Sequence, residues 1–237
     1  MSGAVAEATV HRPLLLQRWS TMTFLHWSYG PEAVRPLVPA GLGLDLFDGA
    51  AWVSIAAFEM AGVRLPGLPP VPRLSRFPET NLRTYVRAPD GRDGVWFLSL
   101  EAASLPLVLG GRAVPGVPYH WAAMSIECGA TVRYRSRRRH GTAGHDIAVA
   151  PGRAYAESEP TPLDHYLTGR WRAYGRQAGR FTVTNVEHLP WPLRRAAVLR
   201  LRETLTAAAG LPAPRYSPLV HYCSGVDVRL AAPRLLG

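Results

Sequence analysis

The chain of 237 residues contains no lysine; all 27 of its basic residues are arginine. That absence removes one mechanism outright. Covalent catalysis through a Schiff base needs an unprotonated amine, and no side chain supplies one. The amine that remains is the N-terminus, at the head of residues 1–11, which read as a disordered or mobile tail. Cysteine is scarce too. Cys128 and Cys223 stand far apart, neither has a Cys or His at metal-finger spacing, and two reduced thiols are expected rather than a disulfide. No apolar run approaches the roughly 20 residues of a membrane span. Met1 to Arg12 lacks the basic-then-apolar order of a secretory signal. A cytoplasmic protein without a membrane partner is expected. Also missing are a GxSxG elbow, a phosphate loop, a dinucleotide fingerprint and HExxH, so neither a metal nor a cofactor is expected.

What is present describes a folded chain. Hydrophobic residues make up 47% and charged residues 19%, enough to bury a core. The net charge of +10 raises the question of nucleic acid, most sharply at Arg133-Tyr-Arg-Ser-Arg-Arg-Arg-His140. No helix-turn-helix, zinc-finger or RNA-recognition signature accompanies that run. The arginine bias spans the whole chain, as a GC-rich coding sequence would give, and the run reads as a solvated strand end. No nucleic-acid partner is expected.

Proline and glycine, 22 of each, are spread as punctuation. That spacing predicts many short strands joined by turns. Strands are expected at 24–29, 80–87, 95–100, 122–137, 145–156, 181–188, 219–222 and 226–230. Asp48-Gly49 between apolar runs predicts a hairpin, and Gly62 to Pro78 a long loop. Short helices are expected at 31–38 and 162–168, and 102–112 is a further helix candidate. Trp191 to Ala209, with Leu193, Ala196, Ala197, Leu201 and Leu205 near helical spacing and Gly210 at its end, predicts one long helix. The whole reads as a strand-dominated α+β domain over residues 12–237 with a single core.

Two segments carry candidate chemistry. In Pro78-Glu-Thr-Asn-Leu-Arg-Thr-Tyr-Val86, strand alternation puts Glu79, Asn81, Arg83 and Tyr85 on one face. They line either a wet cavity or a solvent-facing edge. In Gly116-Val-Pro-Tyr-His-Trp121, an acid/base-capable pair follows a proline, as in a site loop or a packed turn. His26, His188 and His221 read as core histidines or as inward-facing groups; none has metal-ligand spacing.

Phe24-Leu-His-Trp27, Asp48-Gly-Ala-Ala-Trp52 through Phe58, Glu79-x-Asn-x-Arg-Thr-Tyr-Val86, Gly94-Val-Trp-Phe-x-Ser-Leu100, Val117-Pro-Tyr-His-Trp-Ala122, His188-x-Pro-Trp-Pro-Leu193 and Pro218-Leu-x-His221 together resemble one bacterial family. It is the YqjF-like family, a domain of unknown function in the acetoacetate-decarboxylase-like superfamily. The resemblance runs from about Gln17 to about Leu235. It implies a strongly curved antiparallel sheet or cone-like β-barrel with a few outer helices and a closed polar cavity inside. In acetoacetate decarboxylase that cavity holds a strand glutamate and a Schiff-base lysine in a Gly-aromatic-Pro-Lys-Lys loop. Glu79 resembles the glutamate by pattern. Gly116 to His120 resembles the loop, which places Tyr119 and His120 where the lysines would stand. Neither can form a Schiff base.

The resemblance therefore implies a cavity with altered chemistry. The expected function is a cofactor-independent small-molecule enzyme acting next to a carbonyl by decarboxylation, dehydration, aldol-type cyclisation or isomerisation. Glu79, Tyr119 and His120 are the catalytic candidates. Asn81, Arg83, Tyr85, Arg112, His26 and His221 are the substrate-binding candidates. The rival reading is a non-catalytic protein that binds or senses a ligand in the same cavity. A homo-oligomer is left open.

Overall fold

The computed structural model describes residue 6 and residues 9–72, 74–113 and 116–236. The order of elements is β1 (Pro13–Tyr29), α1 (Pro31–Val34), β2 (Gly43–Leu44), β3 (Ala51–Arg64), β4 (Phe77–Arg87), β5 (Asp93–Ala102), α2 (Leu105–Ala113), β6 (Tyr119–Cys128), β7 (Val132–Arg138), β8 (Gly144–Ala154), α3 (Pro162–Thr168), β9 (Arg172–Gln177), β10 (Arg180–His188), β11 (Leu193–Glu203), α4 (Leu205–Ala208), β12 (Leu219–Ala231) and β13 (Arg234–Leu235). All the strands join one 13-stranded sheet, in the order β13-β10-β9-β5-β6-β7-β8-β11-β12-β1-β3-β4-β2. The expected antiparallel sheet is in fact mixed: β5 pairs in parallel with β6 and with β9.

Two further pairings, β5–β4 and β10–β12, bend this sheet onto itself. One closes a larger ring, β4-β5-β6-β7-β8-β11-β12-β1-β3 and back to β4. The other closes a smaller ring, β5-β9-β10-β12-β1-β3-β4 and back to β5. The rings share β12, β1, β3, β4 and β5. Neither is a regular barrel. Because side chains alternate along a strand, each shared strand serves both rings. Leu25, Val53, Ile55, Ala57 and Leu82 point into the larger ring, where they pack with Tyr134, Ile147 and Val149. Met22, Phe24, Ala56, Phe58 and Met60 point into the smaller ring, beside Val186 and Val228.

Several expectations need correction. The long helix over 191–209 does not form; Leu193–Glu203 is a strand, paired with β8 and β12. Its register shifts twice against β8, between Arg194 and Ala196 and again between Val198 and Arg200. A bulge changes the phase of a strand, so Val198 and Leu201, three apart, both reach the larger core. That spacing imitated a helix. The run 44–47 does not form a hairpin arm with β3. Leu44 pairs with β4, and a local turn with Asp48 and Gly49 at positive φ is closed by a Phe47–Ala50 bridge. The segments 219–222 and 226–230 are one strand, irregular at Gly225.

The arginine run is not an unpaired patch. Arg133 and Arg200 grip Asp146, Arg135 pairs with Glu127, and Arg138 pairs with the fully buried Glu101. Of the expected mobile tail, residues 1–5, 7 and 8 lie outside the described residues. Val10 is buried; its N–H donates to the Glu187 carboxylate and its carbonyl accepts from Arg229. Among the described residues no helix is long and apolar enough to cross a membrane.

Candidate active site

The smaller ring is hollow. It encloses a cavity of about 480 Å³, inside the range of small-molecule sites. Glu79, Asn81 and Arg83 all face it from β4, as strand alternation requires. Tyr119 enters it from the start of β6. Most of the remaining wall is apolar, with Trp19, Phe24, Phe58, Met60, Phe97 and Trp191 prominent. The lining reaches the surface at Leu14, Pro106 and Gly110, which are exposed. The implied closed polar cavity is thus a largely apolar one with an open end.

Glu79 is 3% exposed. The Tyr119 hydroxyl donates to its Oε2 at 3.3 Å. Burial pushes the Glu79 carboxyl up to about 8, although hydrogen bonds from Tyr119 and Asn81 oppose the rise. At neutral pH it is therefore mainly a carboxylic acid, able to give a proton as well as take one. Burial, then the nearby Glu79, raises the Tyr119 phenol as well, so it stays a donor. Two glycines make room for this pair. A Cβ on Gly111 would lie 2.4 Å from the Tyr119 ring. Gly116, at φ +66°, leads into Tyr119 so close to β9 that a Cβ would meet the Arg176 carbonyl at 1.9 Å.

Arg83 is half-buried because its free surface is cavity wall. Burial lowers its pKa, the Tyr85 hydroxyl opposes this and Arg170 reinforces it, yet a guanidinium remains charged. Its Nε and Nη2 have no hydrogen-bond partner. This is the edge that arginines elsewhere in the molecule use to hold carboxylates side-on: Arg76 on Glu59 and Arg133 on Asp146, every contact at 2.8 Å. In Arg83 that edge is unpaired and buried in the cavity wall, and the guanidinium lies over the Phe24 ring at 5.3 Å from its centroid. Asn81 Oδ1, Trp19 Nε1 and Arg170 Nη2 are also buried without partners, and all three residues line the cavity. Unpaired buried polar atoms are expensive, and four residues of this one wall carry them.

The other candidates lie elsewhere. Tyr85 is on the correct face of β4, but α3 covers it. Its ring packs on Tyr166, and its hydroxyl donates to the Leu167 carbonyl at 2.8 Å. His26 and His221 stand behind Phe24, which stacks on His26. A buried chain runs from Asp164 Oδ1 to His221 Nε2 at 2.7 Å. It continues from His221 Nδ1 to His26 Nε2 at 3.2 Å, from His26 Nδ1 to Ser54 Oγ at 2.5 Å, and from Ser54 to the Tyr85 hydroxyl at 2.6 Å. Burial opposes ionisation of Asp164, but hydrogen bonds from His221 and Thr161 override it and hold the carboxyl at about 2. This chain braces the strand that carries Arg83 and does not line the cavity.

His120 follows Tyr119 and so points to the opposite face. Burial, then Arg138 and Arg112, hold its imidazole down at about 4. Arg112 is exposed, and its Nε donates to the Tyr119 carbonyl at 2.6 Å. It fixes the backbone of Tyr119 rather than touching the cavity.

With this geometry in view, comparison with known proteins is decisive for family. Residues 16–227 match the family described as an uncharacterized conserved protein, DUF2071. The chain is also 36% identical over 217 residues to the uncharacterized protein YqjF of Bacillus subtilis strain 168, covering 91% of this chain and 89% of that one. The chain belongs to the YqjF-like family. Solved structures similar to this YqjF-like fold include the enduracididine biosynthesis enzyme MppR complexed with pyruvate, at 15% identity and TM-score 0.64 over 98% of this chain and 93% of that one. Acetoacetate decarboxylase from Legionella pneumophila matches at 12% and 0.64, over 98% and 92%. An acetoacetate-decarboxylase-like enzyme from Sphingomonas wittichii RW1 matches at 15% and 0.65, over 98% and 96%. At these identities the likeness establishes the acetoacetate-decarboxylase-like fold.

The structure adds residues to this YqjF-like site that the sequence did not single out. Arg170 and Arg172 both line the cavity. Arg170 Nη1 bridges Asp45 and Asp93 at 2.7 Å each, and its guanidinium packs over Tyr166 and Tyr85. The alternation Arg170-Trp-Arg172 was the available signal. His188, weighed as a core residue, lines the cavity between Trp171 and Trp191. Its Nδ1 bonds the Leu189 carbonyl at 2.6 Å, which leaves Nε2 as the acceptor. Burial, against that bond, holds His188 down at about 4.

Proposed function

We propose that this YqjF-like protein is a cofactor-independent enzyme that acts next to a carbonyl, without a lysine Schiff base. The Arg83 guanidinium holds the substrate carboxylate. Glu79 moves the proton at the reacting carbon. Tyr119 steers Glu79 and donates a hydrogen bond to the enolate oxygen as charge develops there. Asn81, between Glu79 and Arg83 on the same strand, receives a donor from the substrate at Oδ1. Decarboxylation, dehydration, aldol-type cyclisation and isomerisation all pass through such an enolate.

The observation that carries this reading is the unpaired Nε–Nη2 edge of Arg83 in the wall of the same cavity as a carboxyl group raised to about 8. A buried cation without an anion destabilises a fold unless a ligand completes it. The rival, a binding protein, requires the arginine but not the acid. Glu79 at about 8 and His188 at about 4 are two inward groups with well-separated protonation, which favours proton-transfer chemistry.

The test is proton exchange. In deuterated buffer, proton NMR of a panel of oxo-carboxylic acids should show catalysed loss of a hydrogen next to the carbonyl. Glu79→Gln should slow it by about a hundredfold to ten-thousandfold, and borohydride should trap no side-chain adduct. Exchange by Glu79→Gln at the original rate would overturn the role of Glu79, and no catalysed exchange by the native protein would leave the binding-protein reading standing.

A further inference from the structure

The cavity is larger and more apolar than a short oxo acid requires. A volume of about 480 Å³ falls among sites for drug-sized ligands. Its polar groups also lie apart. Arg83 and Glu79 are four residues apart on an extended strand, which separates their Cα atoms by about 13 Å. Asn81 stands between them on β4, and around them the wall is largely aromatic and aliphatic, with Phe24, Ala56, Phe58, Met60, Phe97 and Leu107. At the open end the lip is apolar as well. Leu14 lines the cavity there and is 40% exposed, and Leu105 and Leu109 on α2 are 39% and 59% exposed beside the lining residues Pro106 and Gly110.

We propose that the ligand of this site is an elongated apolar carboxylic acid: its carboxylate sits on Arg83, and a hydrocarbon chain or aromatic body fills the bore. The inference rests on the Arg83 reading above and deepens it. A ligand that touches both Arg83 and the Glu79–Tyr119 pair must span the strand between them. Its reacting carbonyl is then remote from the anchoring carboxylate, with a mainly apolar body between that passes Asn81. A three-carbon acid anchored at Arg83 beside Phe24 does not span to Glu79 and leaves most of the apolar wall without contact. The lip matches this, since an apolar body enters past leucines more readily than past charges.

The probes are straight-chain carboxylates, butanoate, hexanoate and octanoate, with octanol and pyruvate as controls. Trp19 and Trp191 line the cavity, so tryptophan fluorescence reports occupancy. Burial of one methylene contributes about 0.8 kcal/mol, or about a fourfold tighter Kd. Octanoate should therefore bind on the order of a hundredfold tighter than butanoate or pyruvate, and at least tenfold tighter than octanol. Ala56→Phe, which narrows the bore, should flatten the dependence on chain length while butanoate still binds, which also shows that the variant folds.

A flat series in the native protein, pyruvate binding as tightly as octanoate, or no response to any probe overturns the proposal. A steep series in which octanol equals octanoate has a different meaning. It removes the carboxylate anchor at Arg83, and with it the proposed function, while leaving the apolar bore in place.

Discussion

The two rings of the sheet share strands but are finished differently. The larger is filled: Leu25, Ile55, Leu82, Ile147 and Val149 are each 0% exposed, and they interdigitate across it. The smaller is walled by residues from the opposite faces of the same strands, and these pack along the wall but leave a cavity of about 480 Å³ between them. A single alternation in β4 shows the division. Thr80, Leu82 and Thr84 serve the filled ring, and Glu79, Asn81 and Arg83 the hollow one. Stability and chemistry are thereby written on alternate residues of one strand, so substitutions one position apart should fail in different ways.

The strongest test of that contrast lies at the polar end of the sheet behind Glu79. Glu101 is fully buried, and Arg138 donates to its Oε1 from both Nε and Nη2. Arg138→Ala should cost about 3–5 kcal/mol in urea unfolding, because it strands a buried charge. The next effect compares the rings directly. Ile55→Ala opens a void in the filled ring and should cost about 2–5 kcal/mol. Met60→Ala enlarges a space that already exists and should cost less than half as much. Equal losses would mean that the smaller ring is packed rather than hollow.

Glu79→Gln should act in the opposite direction and only at higher pH. The folded state keeps the Glu79 proton up to about pH 8, whereas the unfolded chain releases it near the ordinary glutamate value of about 4.3. Native protein should therefore lose stability between those limits as pH rises, and the variant should not. The difference in unfolding free energy should be near zero at pH 4 and reach a few kcal/mol, at about 1.4 kcal/mol per pKa unit, by pH 8. Smallest is Arg135→Ala. Its partner Glu127 is 57% exposed, and the change should stay within about 0.5 kcal/mol.

Much of the hollow ring could be read in advance because β4 obeys a simple period. The line of Glu79, Asn81 and Arg83 needed only strand alternation, and the loop before Tyr119 needed only its resemblance to a known family. Tyr85 obeyed the same period but left the site, because α3 packs over that end of the strand, which no local pattern encodes. His120 was misplaced by one residue of alternation relative to Tyr119. His26 and His221 do come together, 195 positions apart, but they form a brace behind Phe24. Arg170, Arg172 and His188 reach the cavity only because β9 and β10 close the smaller ring, a tertiary fact. The helix expected over 191–209 failed for a local reason. Leucine, alanine and arginine all favour helices, and two bulges put strand residues at helical spacing.

The proposed chemistry depends most on the state of one carboxyl group. A carbon-13 NMR titration of the Glu79 side chain, assigned by its loss in Glu79→Gln, reads that state without knowledge of the substrate. The Glu79 signal should be predominantly protonated at pH 7 and titrate near pH 8. A carboxyl that is already ionised at pH 6 would contradict it, because the cavity would then hold an ordinary carboxylate rather than an acid poised to exchange a proton.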